Sequence, residues 1–236
     1  MKILLLGSQH GNELLGERLY RRIKKYHPQL LDHLVFRIGN PKARRQGVRY
    51  IESDMNRSFK KGMNTYESKR AQKLITYIQE QNFDLILDLH TTACIQPPSF
   101  IVGSMSHPVR TFIHASSIYR IVHMRHEIVH SSLIGNITNA VSIEVSNRDI
   151  TVKLLDQLVE DLQRYTTHQT FENEKALYSV NQLLLKTEVS EIEAASLENF
   201  HPSSSGFIPI LVGENSYKKN TPYLGFKATQ ETIITL

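Results

Sequence analysis

The sequence predicts an α/β protein: a mostly parallel sheet covered by helices, with a smaller β-rich C-terminal domain. Three observations carry this. Strand-like and helix-like segments alternate from Lys2 to Tyr165. Short apolar runs broken by turn residues replace them after Thr166. A chain of 236 residues that is 40% hydrophobic and 22% charged can also bury a sizeable core. The division places the alternating α/β domain at residues 1–166 and the β-rich domain at 167–236.

Lys2–Leu6 reads as a buried strand, an apolar run without alternation. From Asn12 to Tyr26 the apolar positions Leu15, Leu19, Ile23 and Tyr26 recur at helical spacing, with Asn12 where a cap would stand. Leu34–Ile38 is the next strand, followed by a long polar segment from Asn40 to Phe59. Tyr66–Gln81 is a helix that turns Ala71, Leu74, Ile75 and Ile78 inward. Strands follow at Leu85–Leu89 and Phe100–Val102, a helix at Pro108–Tyr119, and strands at Ile121–Met124 and Val141–Val145. Val152–Tyr165 closes the alternating region as a helix. Beyond it, Leu183–Leu185, Phe207–Val212 and Thr232–Leu236 read as strands, with no convincing helix between them.

Composition excludes several classes. Cys94 is the only cysteine, so no intrachain disulfide forms and nothing demands an oxidising compartment. No apolar run approaches the roughly 20 residues of a membrane span, and the segment before Gly7 is too short for a signal peptide. A cytoplasmic protein without a membrane partner is expected. The net charge of +5 is modest. Arg21, Arg22, Lys24 and Lys25 read as the solvated face of the first helix, and no aromatics interleave with them, so no nucleic-acid partner is expected. Lys42, Arg44, Arg45 and Arg49 lie in the polar segment, where an anionic substrate is the better explanation.

The residues with chemistry follow apolar strands. In "GSQHGNE", Gly7 and Gly11 bracket His10, and Glu13 stands three residues after it. His90 closes "DLILDLH", and Glu144 lies in "SIEVS". Crevices in open α/β sheets form beyond the carboxyl ends of strands, so these four can converge. Two histidines and a glutamate make one of the known catalytic zinc sets, with a position left for water. Asp88, two residues before His90 and on the same strand face, is placed to accept the second imidazole N–H. Each residue alone has an ordinary reading: a hydrogen-bonded surface histidine, or a glutamate favoured in a helix's first turn.

Further motifs decide between these readings. "GSQHGNE", "NPKA", "RYIESDMNRSF", "DLHTT" and "IEVS" occur in that order, and "ENSYKK" follows near the end. In this the chain resembles the succinylglutamate desuccinylase/aspartoacylase family, relatives of zinc carboxypeptidases, over nearly its whole length. The resemblance implies a zinc-carboxypeptidase-like fold with a mixed, mostly parallel sheet, its C-terminal domain covering the active-site cleft. It implies one Zn2+ per chain held by His10, Glu13 and His90, and Glu144 as the general base acting on the metal's water. Arg49 matches the arginine that polarises the scissile carbonyl and steadies its oxyanion. Asn56 and Arg57 match the pair that grips a substrate carboxylate, with Asp54 in support, and Tyr217 matches a tyrosine reaching the substrate.

Elementary chemistry fits these roles. Water attacks an amide poorly at neutral pH unless a metal lowers its pKa and a carboxylate takes its proton. A guanidinium is permanently charged, and its rigid fork matches a carboxylate in a way lysine cannot. For Arg57 the structural alternative is an ion pair with Asp54; for Tyr217 it is simple packing at the domain interface.

The implied function is zinc-dependent hydrolysis of the amide bond of a small, anionic N-acylated amino acid. The alternatives are a carboxypeptidase-like metallopeptidase, or a non-catalytic binding protein on the same fold. One departure bears on the substrate. In aspartoacylase an arginine about ten residues before the general base binds a second carboxylate, whereas Ser131 to Ile143 contains no arginine or lysine here. His126, His130, Lys218 and Lys219 are the candidate replacements.

Overall fold

The apolar run after Lys2 becomes β1 (Ile3–Gly7), buried at every position. It leads through a turn into α1 (Leu15–Tyr26), then β2 (Leu34–Ile38) and a short α2 (Pro41–Gln46). The alternation continues as α3 (Tyr66–Gln81), β3 (Leu85–Thr92), β4 (Ser99–Val102), α4 (His107–Ala115) and β5 (Arg120–Met124). A single turn, α5 (His126–Val129), precedes β6 (Ala140–Ser146) and α6 (Val152–Thr166). The rest of the chain forms β7 (Lys175–Leu185), α7 (Glu191–Ser196), β8 (Ile208–Ile210), α8 (Asn215–Asn220) and β9 (Tyr223–Ile234). This computed structural model describes residues 1–60, 62, 64–172 and 174–234.

Among the described residues nine strands form one sheet in the order β2-β1-β3-β6-β4-β5-β7-β9-β8. The pairs along β2-β1-β3-β6 are parallel, as are β4-β5 and β5-β7; β4-β6, β7-β9 and β8-β9 are antiparallel. The predicted mixed, mostly parallel α/β sheet is therefore the one observed. Side-chain alternation divides the core by face. Ile3, Leu5, Leu87 and Leu89 pack under α1, α4 and α6 with Leu19, Phe112 and Leu158. Leu4, Leu6, Ile86, Ile101 and Met124 lie on the other face with α3 residues Ala71, Leu74 and Ile78.

The structure departs from the sequence reading at several boundaries. The first helix starts at Leu15, capped by Leu14 without a side-chain bond, because residues 11–13 form the turn that aims Glu13 inward. Asn12 is thus no cap. The polar segment holds α2, capped by the Asn40 side chain on Ala43 N–H, and a helical turn at Met55–Arg57 capped by Asp54. In the C-terminal region β7 begins well before Leu183. Its first residue, Lys175, is buried and donates its ammonium to the carbonyls of Ser116 and Ile118, contacts that no local pattern encodes. β9 spans twelve residues, where only Thr232–Leu236 was expected, and the last two of those lie outside the described residues. Two short helices, α7 and α8, also stand where none was expected.

No helix among the described residues is long and apolar enough to cross a membrane.

Candidate active site

The turn after β1 is built by close approach. Ser8 adopts a left-handed φ of 54°, and its hydroxyl donates to the Glu13 carbonyl at 2.8 Å. Gly11 lies against the backbone of α2, where a Cβ would fall 2.2 Å from the Ala43 carbonyl carbon. Its N–H donates to the Arg49 carbonyl at 3.0 Å. Glycine at this position is what lets the α2 segment, and with it Arg49, reach the first strand.

His10 and Glu13 leave this turn toward β3. One oxygen of Glu13 lies 2.6 Å from His10 Nδ1, the other 2.9 Å from His90 Nδ1, and Thr91 N–H donates to that second oxygen at 3.1 Å. Each of the three side chains offers a donor atom within 4.8 Å of the others, and all three residues are buried. The outer nitrogens are also held: His10 Nε2 lies 2.9 Å from Asp54, and His90 Nε2 lies 2.8 Å from Asp88. Asp88 in turn accepts from the Ser142 hydroxyl at 3.0 Å. Carboxylates in this position fix which nitrogen each ring presents and raise its basicity.

The field at this cluster favours positive charge. Burial opposes charge on both imidazoles, yet Glu13 and Asp54 hold His10 above its ordinary value, and Asp88 and Glu13 hold His90 well above it. Burial likewise opposes charge on Glu13 and Asp54. The two imidazoles keep the Glu13 carboxyl well below the usual range, and His10 and Arg49 do the same for Asp54. A buried His-Glu-His set with both outer nitrogens on carboxylates fits a zinc ion in donor type and in second contacts.

Neither His90 nor Glu144 ends its strand. β3 continues to Thr92 and β6 to Ser146, and the two residues are register partners on the parallel β3-β6 pair. The Glu144 carboxyl therefore stands beside the histidine on the same face. Among the described residues it has no hydrogen bond or ion pair. Burial pushes it up to about 8, against the pull of His90 and with the help of nearby Glu13 and Glu214.

Arg49 reaches the cluster from the loop after α2. It lies 3.3 Å from Glu13, 3.4 Å from Asp54 and 3.7 Å from Glu214. Arg57 does not form the ion pair with Asp54 that its spacing allows, because Asp54 is occupied by His10 and Arg49. Among the described residues its guanidinium has no ion pair and stands 5.9 and 5.6 Å from the ring centres of Tyr217 and Tyr223. Asn56 faces the same cleft with its side-chain oxygen buried and unpartnered.

Tyr217 lies between the C-terminal region and the cleft. Its ring packs against Tyr223 and Phe226, and the residue lines the cleft. Burial drives its hydroxyl well above the ordinary value. The segment is tied down by Glu214, to which sequence reasoning assigned no role although it heads "ENSYKK". Its carboxylate accepts from the Thr92 hydroxyl at 2.6 Å, from Ala93 N–H at 2.8 Å and from Ser216 N–H at 3.3 Å.

The basic cluster expected to meet an anion disperses. Arg44 pairs with Glu17, Lys42 lies over the Tyr66 ring, and only Arg49 lines the cleft. Of the candidate replacements for a second carboxylate-binding cation, His130 lines the cleft; His126 and the exposed Lys218 do not. The Lys219 side chain lies outside the described residues.

Residues 1–120 match the model of the succinylglutamate desuccinylase/aspartoacylase catalytic domain. Among curated proteins, the chain is 31% identical over 116 residues to a probable aspartoacylase of Nostoc sp. (strain PCC 7120), covering 44% of this chain and 39% of the relative. It is 35% identical over 115 residues to one from Prochlorococcus marinus (strain NATL1A), covering 43% and 37%. These matches thus span under two-fifths of each relative's length. Among solved structures, murine aminoacylase 3 superimposes with a TM-score of 0.73 at 18% identity, over 98% of this chain and 95% of that one. The succinylglutamate desuccinylase of Chromobacterium violaceum does so with 0.71 at 17% identity, over 98% and 85%. At such identities the superpositions establish a shared fold.

Proposed function

Because the chain belongs to the succinylglutamate desuccinylase/aspartoacylase family, we propose that it is a zinc-dependent hydrolase that cleaves the amide bond of a small N-acylated amino acid. The observation that carries this is the pairing of a buried His10-Glu13-His90 cluster with an unpartnered Glu144 carboxyl one strand away.

His10, Glu13 and His90 would hold the metal, with Asp54 and Asp88 orienting the rings. Zinc bound there would supply Lewis acidity and bring the pKa of its water to about 7. The remaining work belongs to side chains. Glu144 accepts the proton of the attacking water as oxygen bonds to the amide carbon, and returns it to the nitrogen as the C–N bond breaks. The products leave as a carboxylate and an ammonium, the second proton of the water passing from the new carboxyl group to the amine. Arg49 stabilises the charge that gathers on the former carbonyl oxygen, where a permanent cation acts most strongly in a water-poor cleft. Arg57 and Asn56 hold the substrate carboxylate, and Tyr217 closes on the substrate from the C-terminal region. Residues 167–236 then form the covering domain that narrows the cleft mouth.

Glu144→Gln and His90→Ala test the scheme. Glu144→Gln is expected to bind about one zinc per chain, by elemental analysis, while kcat on an N-acyl amino acid panel falls by about 10²–10⁴. His90→Ala is expected to lose most metal. Full kcat in Glu144→Gln, or full zinc in His90→Ala, would overturn these assignments.

A further inference from the structure

The cleft does not end at the metal-ligand cluster, and its character changes across the sheet. On the face that carries His90 and Glu144, the next strand over from β6 is β4, where Ile101 pairs with Ser142. Ile101 therefore stands one strand over from Glu144 and two residues along, and Met124, on β5, stands two strands over and two residues beyond the partner of Ile101 on the same face. Ile101, Met124, Val129, Ile134, Leu211 and Phe226 all line this part of the cleft, and all are buried. The whole cleft measures about 340 Å³, at the small end of the range for small-molecule sites.

The charges lining the cleft are as informative. Two guanidiniums, Arg49 and Arg57, face five carboxyl groups: Glu13, Asp54, Glu127, Glu144 and Glu214. Arg49 is committed to three of these. Arg57 is the one cleft arginine without a carboxylate partner among the described residues. His130 spends its Nδ1 on the Glu127 backbone carbonyl at 2.9 Å. Among the described residues the carboxyl groups of the lining outnumber its guanidiniums. Among the described residues the cleft offers one guanidinium, that of Arg57, to a substrate carboxylate and no second unpaired arginine or lysine.

We propose that the lobe lined by Ile101, Met124 and Phe226 is a specificity subsite for an uncharged aliphatic or aromatic substituent of the N-acyl amino acid. A substrate with one carboxylate and an apolar group is therefore preferred over acidic N-acyl amino acids that carry two or more. This rests on the hydrolase reading above and names its substrate class. A carboxylate placed in the lobe loses its water without gaining a partner, whereas each buried methylene improves binding about fourfold. The group can be the amino-acid side chain or the acyl chain, which share this chemistry.

The experiment compares kcat/KM of the zinc-loaded protein across two series and two acidic controls. One series lengthens the side chain, from N-acetyl-L-alanine through N-acetyl-L-norvaline to N-acetyl-L-norleucine. The other lengthens the acyl chain, from N-acetylglycine to N-hexanoylglycine. N-acetyl-L-aspartate and N-succinyl-L-glutamate are the controls. One series is expected to rise about three- to fourfold per methylene and to exceed both controls at least tenfold; the series that rises identifies the source of the group. In Met124→Lys the ratio of norleucine to aspartate substrates is expected to fall at least tenfold. Leu183→Lys places the charge at a rim position that is 36% exposed and so tolerates it, and should move the ratio the same way. Calorimetric binding of the same ligands to the Glu144→Gln protein separates this proposal from the hydrolase reading. If nothing is hydrolysed but apolar ligands bind best, the subsite stands and the hydrolase reading falls. If acidic substrates are hydrolysed as well as apolar ones or better, or if a folded Leu183→Lys protein leaves the ratio unchanged, the subsite is refuted and the hydrolase reading survives.

Discussion

Replacing Glu214 with alanine should loosen the C-terminal region from the His10-Glu13-His90 cluster, and the size of the effect follows from what the carboxylate holds. Glu214 is 8% exposed and accepts from Thr92, Ala93 and Ser216, with Arg49 beyond them at 3.7 Å. These bonds join the end of β3 to the start of α8, which carries Tyr217. The Thr92 hydroxyl has a second partner in Cys94 Sγ at 2.8 Å and can turn to it. The Ala93 and Ser216 N–H groups lose their acceptor. A hydrogen bond to a charged group contributes roughly 1.5–3 kcal/mol, and a lost helix cap costs about 1 kcal/mol. Because the losses share one side chain they overlap, and the expected destabilisation is about 3 kcal/mol. For a chain of this length that is a fall in Tm of about 6–12 °C. Glu214→Gln keeps one acceptor oxygen in place and should lose about half as much. At 25 °C the folded Glu214→Ala protein should still show a lower kcat/KM, because Tyr217 and Arg49 have each lost a tether. Thermal unfolding and steady-state kinetics on the same preparations read both effects. A Glu214→Ala protein within about 0.5 kcal/mol of the parent and with unchanged kcat/KM would refute the reasoning.

Under the proposed mechanism Arg49→Ala should lower kcat, since the charge is assigned to an oxygen that becomes negative only in the transition state, while Arg57→Lys should chiefly raise KM; matching kinetic signatures would dissolve this division. Tyr217→Phe keeps the ring contacts with Tyr223 and Phe226, so Tm should stay within a degree or two while kcat/KM falls; efficient cleavage of a tetrapeptide would show that the C-terminal region does not narrow the mouth. Lys175 supplies a pH test of the fold. Burial brings its folded pKa down to about 8 from 10.5, so below pH 8 both states carry the proton and the full cost of burying the charge is present. Between pH 8 and 10.5 the unfolded chain holds a proton the folded one has released, so stability rises with pH. Relative to Lys175→Met, the native protein should therefore gain about 1–2 kcal/mol across this window, allowing for partial solvation of the amine; denaturant titrations at the two ends measure it. A flat difference would mean that the amine is not buried in charged form.

Much of the fold is legible locally, because its elements carry periodic signals that tertiary contacts reinforce. Leu34–Ile38 and Tyr66–Gln81 are recovered residue for residue. The strand runs near Leu85 and Val141 are right in place but short, since Thr91, Thr92 and Ser146 carry no strand signal of their own and become strand by pairing across β3 and β6, Thr91 with Val145 and Thr92 with Ser146. Lys175–Gln182 fails for the same reason. A strand that opens with a buried lysine has no apolar signature, and its place depends on carbonyls at Ser116 and Ile118 nearly sixty residues earlier.

The candidate site divides along the same line. What the sequence alone determined is the donor inventory: His10, Glu13, His90, Glu144, Arg49 and Arg57 are named by residue type, order and the motifs around them. Chemistry limits which side chains can ligate zinc, take a proton or fork onto a carboxylate, and one dimension suffices to list them. Tertiary structure alone decided which of them are free to act. Asp54 and Arg57 lie three residues apart and invite an ion pair, but the turn at Met55–Arg57 sends Asp54 to His10 and Arg49 and leaves Arg57 open beside Tyr217 and Tyr223. Glu214, Ile101 and Met124 share no motif with one another, and they meet at the site through strand pairing and a carboxylate that bridges β3 to α8. Whether a charged group is spent or available depends on partners brought together by folding, and partners distant in sequence leave no local trace.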